Sequence, residues 1–502
     1  MSVLPDVLKL KPLPSVSSMS IHTDILDPAT ISKSHARFVF ERRGILDVNS
    51  CVQVAAVCVA PGAGTATQPY FPMKTGVHAL VKSALLRCGS VVIAQTDEYA
   101  RYFTMRNQFK TQEERMFRDF NSQLIVDGCQ PNNEGSGTYQ PAGVEWVDLA
   151  ANRTTGKILP FMKITDDENT TPTGTIKLSQ LFPTLMKNLQ LPLYLMNERL
   201  VLELTFNEQG PTVATDSGVI CLFPAGHTAS SAASIATTQV KFLADYLTYD
   251  GDDGRMEEVA KLVMSPQGLT IPYDDVATTT TTIPASTVNP QRVTREVGMV
   301  GKQVKNITWC DQKQQGGAAV ISNQLGVYNS RATWLPSSYN LRVNDMRIFN
   351  RDVVRESRQQ DELASVMGGT INIANSEYSW DTSVSKGVAG DGSGAAGAYV
   401  NPRWGVLTIE GHGSSTSIIA GEGAGGRFPR EAMSHYNGVN LVTDPNTQAG
   451  LMVGQKPIIV ERNIARVDNT NGGADTEAFN TIFWTQYGRV LNIHNGVVSV
   501  AG

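Results

Sequence analysis

The sequence predicts an all-β protein made of two similar domains in tandem. Three observations carry this. Short alternating segments recur along the chain, as expected for strands with one buried and one wet face. At 502 residues the chain is too long for a single hydrophobic core. Two pairs of segments also repeat in the same order at about half the chain length.

The strands come first. Phe38–Phe40 and Cys51–Val59 are rich in β-branched and small apolar residues. In Leu200–Phe206, Leu200, Leu202, Leu204 and Phe206 share one face, with Glu203 and Thr205 opposite. Val240–Tyr246 sets Val240, Phe242 and Tyr246 against Lys241 and Asp245. At the C-terminus, Ile482–Ile493 and Val497–Val500 flank Asn495-Gly496, a dipeptide suited to a tight hairpin turn with positive φ at both positions.

Helices are few. Asp97–Phe120 carries an aromatic set (Tyr99, Tyr102, Phe103, Phe109, Met116, Phe117, Phe120), with Asp97 as its expected cap. Asp352–Met367 runs into Gly368-Gly369, a natural stop. Arg255–Val263 is a third, short helix. Gly62–Pro69, Gln130–Gly143, Val276–Pro290, Gly387–Ala398 and Gly421–Gly426 read as long loops, and the run Thr278–Thr282 as exposed loop.

The repeat pairs a strand and charged helix at Leu80–Phe120 with another at Leu341–Met367. It also pairs Pro192–Phe206 (Glu198, Arg199) with Pro457–Val467 (Glu461, Arg462). Both pairs are offset by about 260 residues, which points to tandem duplication. The expected division is an extended N-terminal arm at 1–35, a first domain at 36–254 and a second at 255–502. The arm, with Pro5, Pro12 and Pro14, reaches a neighbour or an inner face, or is a terminus without fixed structure.

Composition narrows the function. Lys+Arg 42 against Asp+Glu 47 gives a net charge of -5, so any contact with packaged DNA or a membrane must be local. No apolar run spans a bilayer, and Met1–Ser20 lacks the apolar stretch of a signal peptide. Cys51, Cys58, Cys88, Cys129, Cys221 and Cys310 form no CxxC pair and read as small buried side chains in a reducing compartment.

The motifs of catalysis and cofactor binding fail on context. The histidines (His22, His35, His78, His227, His412, His435, His494) show no zinc spacing and read as surface or interface residues. Gly392, Gly394, Gly397 and Gly421, Gly423, Gly426 match GxGxxG, but prolines soon follow where a dinucleotide fold needs a helix. Gly298–Lys302 misses phosphate-loop spacing, with Glu296 where the first glycine belongs and Gln303 after the lysine. Asp250–Glu258 resembles a calcium loop, but Gly254 occupies a ligand position. No GxSxG elbow occurs. No catalytic, cofactor-binding or metal-ligating residue is therefore nominated, and the expected reading is a structural protein, not an enzyme.

The runs FERRGILDVNSCVQVAAV, GVHALVKSALLRCGSVVIAQTDEYARYF and NQFKTQEERMF, between Phe40 and Phe117, resemble the major capsid proteins of Polinton-like viruses and virophages. The shared features are a Gly-Ile-Leu turn into a strand, an apolar strand ending at a glycine (Gly89), and an aspartate-led helix with a charged extension. LPLYLMNERLVLELTF, LRVNDMRIFNRDVVRESRQQDELASVMGGT, and QKPIIVERN with YGRVLNIHNGVVSV continue the resemblance in order to Val500. Giant-virus major capsid proteins are more distantly similar, through Phe242–Glu258.

The resemblance implies two tandem eight-stranded jelly rolls (a double jelly roll) with a few short helices in loops. It implies homotrimers of pseudo-hexagonal outline, pseudo-hexameric capsomers that tile an icosahedral DNA-virus shell against neighbouring capsomers. A penton (single jelly-roll) protein would fill the five-fold vertices beside minor capsid or cement proteins. The virion would be assembled inside the host cell, with an internal membrane or packaged DNA as possible local contacts of the inner face and with no cofactor or small-molecule substrate. Two rivals stay open on residues alone. A β-rich carbohydrate-binding protein or glycoside hydrolase needs paired carboxylates about 5–10 Å apart in a cleft. A β-sandwich adhesion or scaffold protein predicts a secretion signal.

Overall fold

A computed structural model describes residues 18–59, 70–72, 76–108, 129–132, 138–141, 161–163, 173–183, 185, 191–207, 232–235, 237–250, 255–313, 337–354, 356–367, 399–401, 405–407, 436–444, 449–465 and 478–502. Two β-sandwiches follow one another along the chain. The principal strands of the first are β1 (Ser18–Leu26), β2 (His35–Val39), β3 (Ile45–Leu46) continued by β4 (Cys51–Val59), β5 (Val81–Cys88), β6 (Val91–Thr96), β7 (Thr173–Lys177), β8 (Leu200–Phe206) and β9 (Lys241–Asp250). Those of the second are β10 (Leu269–Ile283), β11 (Gln291–Gly298), β12 (Gln303–Lys313), β13 (Ser337–Val343), β14 (Met346–Arg347), β15 (Tyr436–Asn440), β16 (Ile458–Ile464) and β17 (Phe479–His494), with β18 (Val497–Ala501) folded back on β17.

The sheet orders are β1–β9–β4–β7 and β2–β8–β5–β6 in the first half, and β10–β17–β12–β15 and β11–β16–β13–β14 in the second. With β3 and β4 taken as one strand, both halves read first–eighth–third–sixth against second–seventh–fourth–fifth. This is the strand order of a jelly roll, two Greek keys folded face to face. Every pairing among these strands is antiparallel.

The cores follow from alternation. Leu202, Leu204, Phe38, Val52, Val54, Leu86, Phe242 and Tyr246 point between the sheets of the first half and are almost fully buried. In the second half Trp309 packs edge-on against Tyr339, with ring centroids 4.9 Å apart, among Leu341, Val460 and Phe483. Aromatic edges on faces are favourable beyond the area they bury.

The repeat is real, but its register differs from the sequence reading. In each half a glutamate in the middle of the seventh strand binds an arginine on the fourth. Arg87 Nη2 donates to Glu203 at 2.6 Å, and Arg342 Nη2 donates to Glu461 at 2.7 Å. In both cases the arginine lies two residues from the one directly opposite the glutamate. Glu461 therefore corresponds to Glu203 and not to Glu198, because the Glu-Arg dipeptide at Glu198–Arg199 falls before its strand begins.

Other expectations are corrected by packing. The threonines Thr278–Thr282 are strand, paired from Thr278 opposite Trp484 to Thr282 opposite Asn480. Threonine is β-branched and fits a pleated surface, so a polar run here is not a loop. The loop expected at Gln130–Gly143 contains a paired hairpin, Cys129–Asn132 with Thr138–Pro141. Residues 18–35 of the expected arm are built into the first sandwich. Ser18–Leu26 pairs along β9, and Thr30–Ile31 pairs with β2. Residues 1–17 lie outside the described residues, as do the loops at Gly62–Pro69, Gly387–Ala398 and Gly421–Gly426.

The helices are α1 (Tyr99–Gln108), α2 (Arg255–Met264) and α3 (Glu356–Val366). Asp97 does not cap α1. Glu98 stands between them at φ 51, and its carbonyl accepts the first helical bond, from Tyr102. Residues 109–120 fall outside the described residues. α3 starts later than expected because Asp352 accepts a bond from Asn340 and Val353 bridges to Tyr339. The Asn495-Gly496 turn holds as expected, with φ of 49 and 78. Among the described residues no helix is long and apolar enough to cross a membrane.

Inside the second sandwich Arg462 donates two bonds to Asp311, at 2.7 and 2.6 Å, and Thr481 donates a third. Their side chains are 1% and 2% exposed. Removing one member strands a buried charge. Arg462→Met is expected to cost about 3–5 kcal/mol, and Arg462→Met with Asp311→Leu to recover most of it. Denaturant melts of the three proteins check this.

Candidate assembly site

Where the two sandwiches meet, polar side chains of the second half gather on backbone groups of the first. The junction is built from edges. β6 ends one sheet of the first half, and β10 ends one sheet of the second. An exposed edge presents unpaired backbone groups, which must be covered or left to water.

Here they are covered by side chains. The Ile93 carbonyl accepts bonds from the Tyr273 hydroxyl and from Arg489 Nη1, the latter at 3.2 Å. Arg489 also reaches the Val92 carbonyl at 3.4 Å. Asp275 accepts from Arg489 at 2.7 Å, from the Val276 amide at 2.9 Å and from the Gln95 amide at 3.4 Å. Farther along, the Asp97 carbonyl accepts from Thr278 Oγ1 at 3.2 Å and Trp484 Nε1 at 3.3 Å. At the other end, the Asn197 amide donates to Gly496 at 2.8 Å and Asn197 Nδ2 to Asn495 at 3.0 Å. A Cβ at Gly496 would lie 2.4 Å from Asn197 Oδ1, so the turn glycine also permits this close approach.

Apolar packing surrounds the polar line. Leu269, Ile271, Tyr273, Leu491, Ile493 and Val498 of the second half join the first half's Ile93 in one buried cluster. Tyr102 and Met105 of α1 join Val276, Ile482 and Trp484 in another. Burial pushes the Asp275 carboxyl up while Arg489 pulls it down. Burial also pushes the Tyr273 phenol up, keeping it a proton donor.

The contacts advance in step: Ile93 with Tyr273, Gln95 with Asp275, Asp97 with Thr278. β6 and β10 therefore run in the same direction, and the two sandwiches stand side by side with like ends together. In each half the strands alternate in direction, so connections after odd-numbered strands fall at one end and those after even-numbered strands at the other. The short links Gly89-Ser90, Asn344-Asp345 and 299–302 all fall at the second of these ends, after the fourth strand of the first half and the fourth and second strands of the second half.

No site residue was nominated from sequence, and the residues assembled here explain why. Asp275, Arg489 and Gln95 are brought together across the fold and carry no local motif. The buried carboxylates Asp275, Asp311 and Glu461 are each held by arginine. Burial raises the Cys88 thiol to about 11, away from the range of a reactive thiolate. Among the described residues no group of three or more His, Cys, Asp or Glu is placed to hold a metal. His22 and His494 are exposed as expected, but His78 is core: it stacks on Phe103 at 3.4 Å and meets the Tyr99 hydroxyl at 2.7 Å. After the first glycine-rich stretch comes a strand, Tyr399–Asn401, where a dinucleotide fold would need a helix.

No family model matches the sequence, and no curated protein matches it either. Solved structures do. The chain is similar to a chain of the Sputnik virophage particle, with TM-score 0.53 and 12% identity over 100% of this chain and 92% of that one. It is similar to a chain of the PBCV-1 virus capsid, with TM-score 0.51 and 12% identity over 98% of both chains. These likenesses show a shared fold across both sandwiches.

Arg489→Ala is expected to lower stability by about 3 kcal/mol, by leaving Asp275 buried without its counter-charge. Exchange of the Gln95 amide hydrogen should quicken more than that of amides inside either core. Denaturant melts and hydrogen exchange check both outcomes.

Proposed function

We propose that this protein is a structural major capsid protein whose trimers tile the shell of an icosahedral DNA virus, with no catalytic step of its own. The observation that carries this reading is the seam: two sandwiches of identical strand order, fixed side by side with like ends together. The fold shared with the PBCV-1 capsid chain supports it.

The physics leads from fold to assembly. Two like domains per chain give three chains six similar lobes, an outline close to a hexagon. Hexagons cover a surface without gaps, and a fixed seam keeps the two lobes from hinging as neighbours press on them. Contacts between chains are head-to-tail and close a ring. As an obligate assembly the trimer buries about 2,000 Å² or more per interface. The two lobes are assigned to residues 36–254 and 255–502, with β1 added to the first. The partners are copies of this chain in the same and neighbouring capsomers, a penton protein, and minor or cement proteins. The place is the virion, and any contact with membrane or DNA is local to one face.

Electron microscopy and mass measurement of the purified protein test this. Particles of three-chain mass with a six-lobed outline, packing into sheets or shells, are expected. A single-chain species that hydrolyses glycosides contradicts the reading.

A further inference from the structure

The last long strand of the chain outruns its neighbour. β12 pairs with β17 as far as Val304 opposite Tyr487, while β17 continues to His494. Beside that extension lies β18, from Ala501 opposite Val490 to Val497 opposite His494. β12 has a strand on its other side, with Gln303 opposite Met452. Among the described residues β18 pairs with β17 alone. The turn fixes which groups face its open side. A two-residue hairpin makes His494 and Val497 a hydrogen-bonded pair, and such pairs alternate along the ladder. Val497, Ser499 and Ala501 therefore direct their backbone groups to β17, and Val498 and Val500 direct theirs to the open edge.

Open edges are ordinarily guarded by charge, proline or a bulge. β1 carries His22 and Asp24, and β14 carries Arg347. β18 reads VVSVA, with no charge and no proline, and pairs without a bulge. Val498 and Val500 pack inward with Leu491 and Ile493, while Val497 is 61% exposed. The chain's own first residues hold a strand of matching pattern. Asp6–Lys11 (DVLKLK) lies between Pro5 and Pro12 and alternates Leu8 and Leu10 with Val7, Lys9 and Lys11. Ser18 opens β1 opposite Asp250, the last residue of β9. The segment therefore enters the fold at the end where the eighth strands finish, which is the end that holds Asn495-Gly496. α2 bridges the two points: it starts at Arg255, and its Val263 carbonyl accepts the Asn495 amide at 3.0 Å. Between them, Pro12–Ser17 can span about 23–25 Å when extended.

We infer that Val7–Lys11 of the same chain adds to the open edge of β18 as a further antiparallel strand. Direction follows from the ends: β18 leaves this end of the molecule, and the segment returns to it to enter β1. Register follows from the pattern. Leu8 opposite Val500 and Leu10 opposite Val498 continue the buried face, and Lys9 and Lys11 stay in water. The same chain supplies the strand because a tethered segment meets its site at an effective concentration on the order of millimolar. The added strand ties the start of the first half to the last strand of the second, a clasp across the seam that covers an otherwise unguarded edge. Nothing in this pairing requires assembly, so it is read on the single chain.

Hydrogen exchange on the full chain tests this, comparing wild type with the double variant Leu8→Pro and Leu10→Pro. Both positions precede β1, and proline removes the amide that each leucine donates to β18. The Val498 and Val500 amides are expected to exchange at least about tenfold faster in the variant, with amides inside either core unchanged. Equal rates at Val498 and Val500 in the two proteins overturn the inference. A second variant, Lys9→Cys with Ser499→Cys, reads register and source. In the stated register these residues face each other as a pair without hydrogen bonds, about 4.5 Å apart at Cα, within reach of a disulfide. Oxidation is expected to join positions 9 and 499 within single chains, as seen by peptide mass and chain mass. Leu8→Cys with Ser499→Cys, on opposite faces, should not form the link. A disulfide between two chains overturns the same-chain source, and no disulfide at 9 and 499 overturns the register.

Discussion

The Asp275–Arg489 pair sits where one sandwich's edge strand meets the other's, and the geometry of the whole chain depends on it. Neither group belongs in an apolar seam alone. Arg489 satisfies the carboxylate and, with the same guanidinium, donates to the Val92 and Ile93 carbonyls of β6. Asp275 takes an amide from each side. A charged pair in such a place contributes less to net stability than to definition, because a shifted seam would leave its groups unsatisfied. The surrounding apolar clusters supply attraction, and the polar line selects one register.

Within each sandwich, a second device recurs. Glu203 with Arg87 and Glu461 with Arg342 tie the fourth strand to the seventh at matched positions. Cross-strand opposite charges favour one alignment, and a slip by one residue would send them to the opposite face. The two domains have diverged in core composition, Phe38 and Phe242 in one, Trp309 and Tyr339 in the other, while keeping this pairing. Packing tolerates substitution of shape for shape, whereas a register device has fewer solutions.

Much of the fold was legible because it is local. Leu200–Phe206 and the hairpin at Asn495-Gly496 state their period and their turn in consecutive residues. Tandem organisation was legible from order alone, though Glu198 was matched where Glu203 belonged, since spacing cannot show where a strand begins. Thr278–Thr282 was misread because low polarity contrast hid a strand whose partner lies about 200 residues away in the chain. Asp97 was expected to cap a helix, but its carbonyl is committed to Trp484 and Thr278 of the other half. The seam itself was illegible for the same reason. Its members are ordinary residues that acquire meaning only through long-range contact.

The alternation of strand direction separates the two ends of the molecule. Links after even-numbered strands include two-residue turns, where Asn344 and Asp345 hold left-handed backbone and a Cβ at Gly89 would collide with Glu198. Insertions there would break tightly fitted corners. The links after the fifth strand of each half, 97–172 and 348–435, are the longest, and the seam places both on one side. The chain can therefore grow at one pole of the paired sandwiches, through its longest links, without disturbing the two-residue corners at the other.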